Sequence, residues 1–390
     1  MKKIYNVLEI EGYSDFKCIG PECEDDCCKG WKILVDKKAY LMYSQIKDKS
    51  IKNRVLNSIN IKTKMKNTSN AGVLKLGKDS RCKLQEDDRL CFLHKNLGED
   101  SLCRTCKVYP KVINEVDGVL ELSHTLSCPE AVRKILMVDK PKEFNCAEKE
   151  IDGEFIATSI ECDKSYNLRK QLFWEIRSAT IHILQSRKYK LWQRVILAGF
   201  MFESLEEVFK LGDKNEVIKS INKYKDIVNN EEIIKINIPI EEDKQLEIIN
   251  SIYYFISDCM AVGDVNIDRL YIKEIDIRKA DLDSLKEVIQ EYEYVFENYI
   301  VNYIFQNLIP LNVGTFTEQY YRMIFNYGFI ISLLYGKTSV GEITEETIIN
   351  VIYLMTRSIM HSPEKIQEIE KEFKRNNMYS LAYITLAVKF

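Results

Sequence analysis

The sequence predicts a mainly α-helical, non-Rossmann fold carrying a small mixed α/β, cysteine-rich module at its N-terminus. Three observations lead there. Nine of the twelve cysteines fall within the first 128 of 390 residues, among frequent turn formers. From about residue 165 apolar residues recur at helical spacing. No Gly-x-Gly occurs anywhere, so the glycine turns of Rossmann and P-loop proteins are missing. The expected division is a Cys-rich metal-binding module over 1–140 and a mostly helical domain over 141–390.

Element by element, Phe16–Cys23 reads as a loop, because Gly20-Pro21 redirects the backbone. Asp36 is placed to cap a helix over about 37–48. Asn67–Gly77 suggests a polar excursion or a short hairpin through Val73 and Leu74. Lys111–His124 reads as a β-hairpin, with apolar runs on either side of Asp117-Gly118. Leu168, Leu172, Ile176, Thr180, Ile183 and Leu184 share a helix face, and Leu191, Val195, Leu197 and Ala198 share another. Ser284 with Glu287 forms a capping-box pattern for one long helix reaching Phe296. Ser362-Pro363 is an N-cap and first-turn pair for a last charged helix. Two irregular stretches, near 225–243 and 262–281, lie between, with alternation at Ile234, Ile236 and Ile238.

Composition narrows the function classes. Hydrophobic residues make up 46% and charged residues 29%, enough for a sizeable core. Lys and Arg total 56 against 59 Asp and Glu, a net charge of -3, so the basic excess common in nucleic-acid binders is absent. The start meets Glu9 and Glu11 before any secretory apolar region forms, and no apolar run approaches the ~20 residues that span a bilayer. The expectation is a cytoplasmic protein with no membrane or nucleic-acid partner; its oligomeric state is left open.

An even spread would put about four cysteines in the first 128 residues, so the excess calls for a local cause. In a reducing compartment clustered thiols bind metal or do redox work more often than they form disulfides. The first group is Cys18-x4-Cys23-x3-Cys27-Cys28, and the second is Cys82-x8-Cys91-x11-Cys103-x2-Cys106. Cys103-x2-Cys106 can converge on one ion across a tight turn, and four thiolates suit either structural zinc or a [4Fe–4S] cluster. Adjacent Cys27 and Cys28 point different ways on most backbones, so one binds while the other packs. Cys146, Cys162 and Cys259, taken singly, read as small buried apolar side chains. His94 could be a ligand or a proton carrier. His124 and His361 read as polar contacts, and His182 as core. Glu24-Asp25-Asp26 is a solvated face or an attractor for a cation such as lysine. The tyrosines and phenylalanines of the helical half read mainly as core.

The residues carry a resemblance. Phe16-x-Cys18-Ile19-Gly20-x2-Cys23-Glu24-Asp25-x-Cys27-Cys28-x-Gly30-Trp31-x-Ile33, followed by Asp36 and Tyr40, resembles the opening signature of the flagellin lysine-N-methylase (FliB-like) family. Cys82-x-Leu84, Leu90-Cys91-x2-His94-x2-Leu97-Gly98, Leu102-Cys103-x2-Cys106-x2-Tyr109-Pro110 and Leu126-Ser127-Cys128-Pro129-Glu130-Ala131-x-Arg133 follow in order. Glu297-Asn298-Tyr299-x2-Asn302-Tyr303 and Arg357-x3-His361-Ser362 extend the likeness, more loosely, into the helical half. The cysteine pattern is also similar to that of a broader set of small zinc- or iron-chelating proteins. Two departures are Lys111, where arginine is expected after Tyr109-Pro110, and the lack of a proline near the start.

The resemblance implies methyl transfer from S-adenosylmethionine to surface lysines of flagellin, with an iron–sulfur cluster and with zinc as the alternative metal. It implies Cys27 or Cys28 with Cys82, Cys91 and Cys106 as ligands, and Cys18, Cys23, Cys103 and Cys128 as further candidates. No residue is assigned to S-adenosylmethionine. The weak candidates for acid–base work are His94, Tyr109, Glu24 and Asp25. The competing expectations are a non-enzymatic or redox metal protein with a helical docking domain, and a methylase acting on a non-flagellar protein.

Overall fold

The computed structural model describes residues 2–61, 69–232, 241–261 and 274–390. Strand β1 (Lys2–Ile10) opens the chain. The cysteine loop follows, then β2 (Leu34–Asp36), α1 (Lys37–Ser44), α2 (Lys49–Asn57), β3 (Ile59–Ile61) and β4 (Asn70–Leu74). Two short helices, α3 (Phe92–Leu97) and α4 (Arg104–Val108), lead into β5 (Lys111–Val116) and β6 (Val119–His124). Next come α5 (Pro129–Leu136), β7 (Phe144–Asp152) and β8 (Thr158–Ile160).

The rest is helical: α6 (Leu168–Gln171), α7 (Phe173–Leu184), α8 (Leu191–Val208), α9 (Lys214–Asn229), α10 (Glu242–Ala261), α11 (Leu282–Glu291) and α12 (Glu293–Gln306). Then come α13 (Phe316–Thr338), α14 (Glu345–Met355), a π-helical turn at Thr356–Met360, α15 (Pro363–Arg375) and α16 (Leu381–Val388). The architecture is mainly α and non-Rossmann. None of the described helices is long and apolar enough to cross a membrane.

The five-stranded sheet runs β7-β1-β6-β5-β8, with β1 parallel to β6 and β8 parallel to β5. It draws strands from both sides of residue 140. The Asp117-Gly118 hairpin is present: Val116 pairs with Val119, and positive φ at both turn residues matches the twist of the flanking strands. The long strands β1 and β7 pair over their full length, Lys2 with Asp152 through Ile10 with Phe144; sequence reading missed both. A second sheet, β2-β4-β3, has β4 at its centre. Val73 and Leu74 therefore pair with both β2 and β3 rather than forming a local hairpin.

Two helix boundaries differ from expectation. The Asp36 cap holds, but α1 stops at Ser44, because Asp48 starts α2 by accepting from Ser50 N and Ile51 N. Ser284 is not a cap. Asp281 caps α11, and Ser284 Oγ donates to its carboxylate at 2.5 Å from inside the first turn, while the chain breaks again at Tyr292 before α12. The Ser362-Pro363 start of α15 is as expected. The alternation at Ile234, Ile236 and Ile238 lies outside the described residues.

The main core is built around α13, which packs against α8, α10, α12, α14 and α16. Its buried aromatics include Tyr320, Tyr327, Phe316 and Phe329. The sheet joins this core through a buried ion pair in which Arg177 of α7 donates to Glu121 of β6 at 2.7 and 2.5 Å. A separate small core of Ile33, Val35, Tyr43, Val55, Leu84 and Phe92 lies under the cysteines.

The histidines and single cysteines only partly match expectation. His361 makes a polar contact with Thr125 Oγ1 at 3.4 Å. His182 is exposed and meets Asn229 at 3.2 Å, so it is not core; the apolar stripe of α7 turns the other way. Cys162 is buried against Val116, Phe173 and Leu308, whereas Cys146 is exposed on the edge strand β7. The Cys259 side chain lies outside the described set.

His124 is buried against the rings of Tyr13 and Phe16, at 4.5 and 4.6 Å, and neither ring nitrogen has a hydrogen-bond partner among the described residues. Burial, and then the charge of its cross-strand neighbour Lys111, push its pKa down to about 3. An unfolded chain takes up this proton near pH 6.5 and the folded chain does not. The stability it contributes is therefore full above pH 6.5 and declines, by up to about 1.4 kcal/mol per pH unit, as pH falls toward 3. On moving from pH 7.5 to 5, a His124→Phe chain should lose about 2 kcal/mol less than wild type in urea unfolding. Equal losses in the two chains would show that the imidazole does not drive the acid sensitivity.

Candidate metal centre

Six thiols share one neighbourhood. Cys28 feels the charges of Cys27, Cys82 and Cys91; Cys82 feels Cys91, Cys103 and Cys27; Cys106 feels Cys103, Cys28 and Cys27. Cys103 Sγ and Cys106 Sγ are 3.7 Å apart. Three elements bring them together. The loop after Cys23 carries Cys27 and Cys28. The Cys28 carbonyl accepts from Cys82 N at 2.7 Å, which zips that loop to the segment leading into α3, and Gln85 bridges to Cys91. Cys103 and Cys106 come from the start of α4. Cys128 neighbours Cys23 and Cys27, and Cys23 neighbours Cys18, so these form a second rim beside the first.

The Cys27–Cys28 and Cys103–Cys106 contacts act most strongly on those four thiols, and burial acts most strongly on the others. It raises Cys91, pushes Cys82 and Cys23 up to about 11, and pushes Cys128 up to about 12. Cys91, Cys103 and Cys128 each occupy the N-cap position of a helix. The first-turn amides of those helices pull each thiol back down: Leu93 and His94 for Cys91, Thr105 and Cys106 for Cys103, Glu130 and Ala131 for Cys128. Oriented amides of this kind favour a thiolate over a thiol.

Among the described residues no group of three or more His, Cys, Asp or Glu side chains is arranged to hold a metal ion as they stand. The thiols are neighbours, not a closed shell. Their chemistry nevertheless fits the implied group: six soft sulfur donors suit zinc or an iron–sulfur cluster, whose thiolates surround a cage instead of meeting at one point. Cys27 or Cys28 with Cys82, Cys91, Cys103 and Cys106 would hold it.

The acid run does not present a free negative face. Glu24 pairs with Arg133 of α5, Asp25 is buried against Arg357, and Asp26 Oδ1 accepts from Cys28 N at 3.1 Å. The run therefore shapes the loop, and Asp25 is buried instead of lying on a solvated face. His94 is exposed on α3. Tyr109, at a cis Tyr109–Pro110 bond, meets Ser127 Oγ at 3.2 Å, and burial holds its phenol far above the ordinary value, so it is a poor base. A groove of about 540 Å³ is lined by Leu168, Arg169, Phe209 and Leu311, among others, and by none of the six clustered thiols.

Sequence reading missed how Asp36 serves the site. Its Oδ1 accepts from Ala39 N and its Oδ2 from Arg104 N, both at 2.8 Å, so one carboxylate caps α1 and α4 together. Thr105 Oγ1 ties the same turn to Leu34 O at 2.9 Å. Asp36→Ala should cost about 2 kcal/mol in urea unfolding, two caps at roughly 1 kcal/mol each, with Asp36→Asn costing less. A loss under about 0.5 kcal/mol would contradict the double cap.

Residues 177–387, more than half of the chain, match the FliB lysine N-methylase C-terminal domain. The chain is 26% identical over 398 residues to the Lysine-N-methylase of Salmonella typhimurium, covering 96% of each chain, and equally so to that of Salmonella choleraesuis. It is also 37% identical over 137 residues to the Flagellar biosynthetic protein FliU of Salmonella muenchen, covering 35% of this chain and 79% of that protein. No solved structure matches. The class is thus a methyltransferase with a helical body and a cysteine-lined flank. The chain belongs to the FliB lysine N-methylase family.

Proposed function

We propose that the chain transfers methyl groups from S-adenosylmethionine to the ε-amines of flagellin surface lysines in the bacterial cytoplasm. The observation that carries this is the agreement, over 96% of the chain, with proteins named Lysine-N-methylase. The flagellar target is supported by the name of the FliU relative. In this reading residues 1–140 supply the metal site and 141–390 the helical frame. The six-thiol neighbourhood supports a [4Fe–4S] cluster, with zinc as the alternative.

The transfer forms a nitrogen–carbon bond as the sulfur–methyl bond breaks. The sulfonium becomes a neutral thioether, and the lysine nitrogen gives up one proton to a base or to water. When bound, an iron–sulfur cluster supplies a redox-active centre. The chain's own residues hold the thiol loop through Arg133 and Arg357, hold the α4 thiols through Asp36, and keep water away from Cys82 and Cys103.

The test is anaerobic incubation of the purified chain with methyl-labelled S-adenosylmethionine and unmethylated flagellin, with iron, sulfide and zinc measured per chain. Label on flagellin lysines, with about four irons and four sulfides, is the expected result. Label on other proteins but not on flagellin would sink the target. Stoichiometric zinc without iron would make the thiol site structural.

A further inference from the structure

Arg357 comes from the far end of the chain yet is buried at the cysteine loop. It projects from the π-helical turn at Thr356–Met360, between α14 and α15. Such wider turns interrupt the regular helix path and recur at functional sites. Nη1 pairs with the Asp25 carboxylate, while Nη2 donates to the carbonyls of Asp26 at 2.7 Å and Lys29 at 3.2 Å. The two ionic side chains are 8% and 1% exposed. The three acceptors bracket Cys27 and Cys28.

The outer half of the same loop is held by Arg89, which donates to the carbonyls of Pro21, Cys23 and Asp25 at 3.2, 2.7 and 3.1 Å. Between Glu24 and Lys29 the chain has neither helix nor strand. Its course is therefore set by side-chain bonds and, at its end, by a two-rung bridge of Lys29 with Arg81, Cys82 N to Cys28 O at 2.7 Å and Gly30 N to Ser80 O at 3.0 Å. A guanidinium suits this task, because it stays charged and its planar fork serves a carboxylate and carbonyls at once.

We propose that Arg357 is a positioning residue: it seats Cys27 and Cys28 against Cys82, Cys91, Cys103 and Cys106, so the thiol site is completed only where the C-terminal helices meet the N-terminal loop. This rests on the thiolate-site reading above and not on the identity of the methyl acceptor.

The test labels the full-length chain with N-ethylmaleimide, under reducing conditions without oxygen or added metal, and reads each cysteine by peptide mass mapping. In R357Q the labelling rate at the half-buried Cys28 should rise about tenfold, while those at Cys103, Cys106 and the exposed Cys146 stay within about twofold; Cys27 is already exposed and gains little. R357K, which keeps the charge but loses the fork, should fall between. After anaerobic reconstitution, iron bound by R357Q should drop to about half of wild type or less.

An unchanged rate at Cys28 would overturn the proposal, and so would a uniform rise at every cysteine, which marks general unfolding. If R357Q does not fold, D25N weakens the same bond from the loop side and should give the same selective pattern. A wild-type chain that takes up no iron or zinc, with the labelling pattern as expected, would defeat the metal reading and leave the positioning role standing. Iron uptake by wild type with unaltered labelling and iron in R357Q would defeat the positioning role alone.

Discussion

Cys91→Ser should remove bound metal and lysine methylation together. Cys91 lies where the cysteine loop and the segment leading into α3 meet, and it is a neighbour of both Cys28 and Cys82. Serine keeps the size but offers a hard oxygen that does not ionise near neutral pH, and soft metals reject it. Loss of a direct ligand should exceed the 10–100-fold effects typical of supporting residues, so methyl transfer should fall by at least about 100-fold. The control is Cys146→Ser, exposed on β7, which should change neither quantity. Full metal content and full activity in Cys91→Ser would show that the site has been placed on the wrong thiols.

Glu297→Gln should be among the most destabilising single changes in the helical body. Glu297 of α12 is fully buried and accepts from Arg187 Nε at 3.1 and 3.0 Å and from Arg194 Nη1 at 2.5 Å. Arg194 of α8 is itself fully buried and also reaches Glu293 at 3.1 Å and the Leu184 carbonyl at 2.5 Å. Neutralising Glu297 leaves two guanidinium charges facing each other with one compensating carboxylate fewer. Breaking a buried pair from one side costs about 3–5 kcal/mol, because the remaining charge stays desolvated. Urea unfolding of the variant should show that loss. A double change, Glu297→Gln with Arg194→Met, should recover part of it, since the stranded charge is gone. A loss below about 1 kcal/mol would mean that water already reaches this cluster.

What could be read from the sequence was local. The Asp117-Gly118 hairpin follows from a turn that needs positive φ between two apolar runs, and that requirement lies within four residues. The caps at Asp36 and Ser362 were legible for the same reason. Ser284 misled because its spacing to Glu287 fits a capping box, while Asp281, three residues earlier, already starts the helix by accepting from Asp283 N and Ser284 N, which leaves Ser284 inside the first turn. The strands β1 and β7 were invisible because their partners lie some 140 residues apart, and β1 is mostly polar or half-exposed along its first five residues.

The site divides in the same way. Spacing alone marked the nine N-terminal cysteines as a thiol cluster, since so many thiols in so few residues need a shared cause. Spacing put Cys103 with Cys82, Cys91 and Cys106, but it could not say that Cys27 and Cys28 join them while Cys128 and Cys23 form a rim. Nor could it pair Arg357 with Asp25, 332 residues away. Periodicity, turn chemistry and cysteine density are properties of short windows, and the sequence by itself determined the helical body, the hairpin and the thiol-rich flank. Which buried charge meets which partner is a property of the packed interior. There the cost of an unpaired charge selects one arrangement among many that the same local pattern allows, so only the tertiary structure could decide how the thiol loop is held.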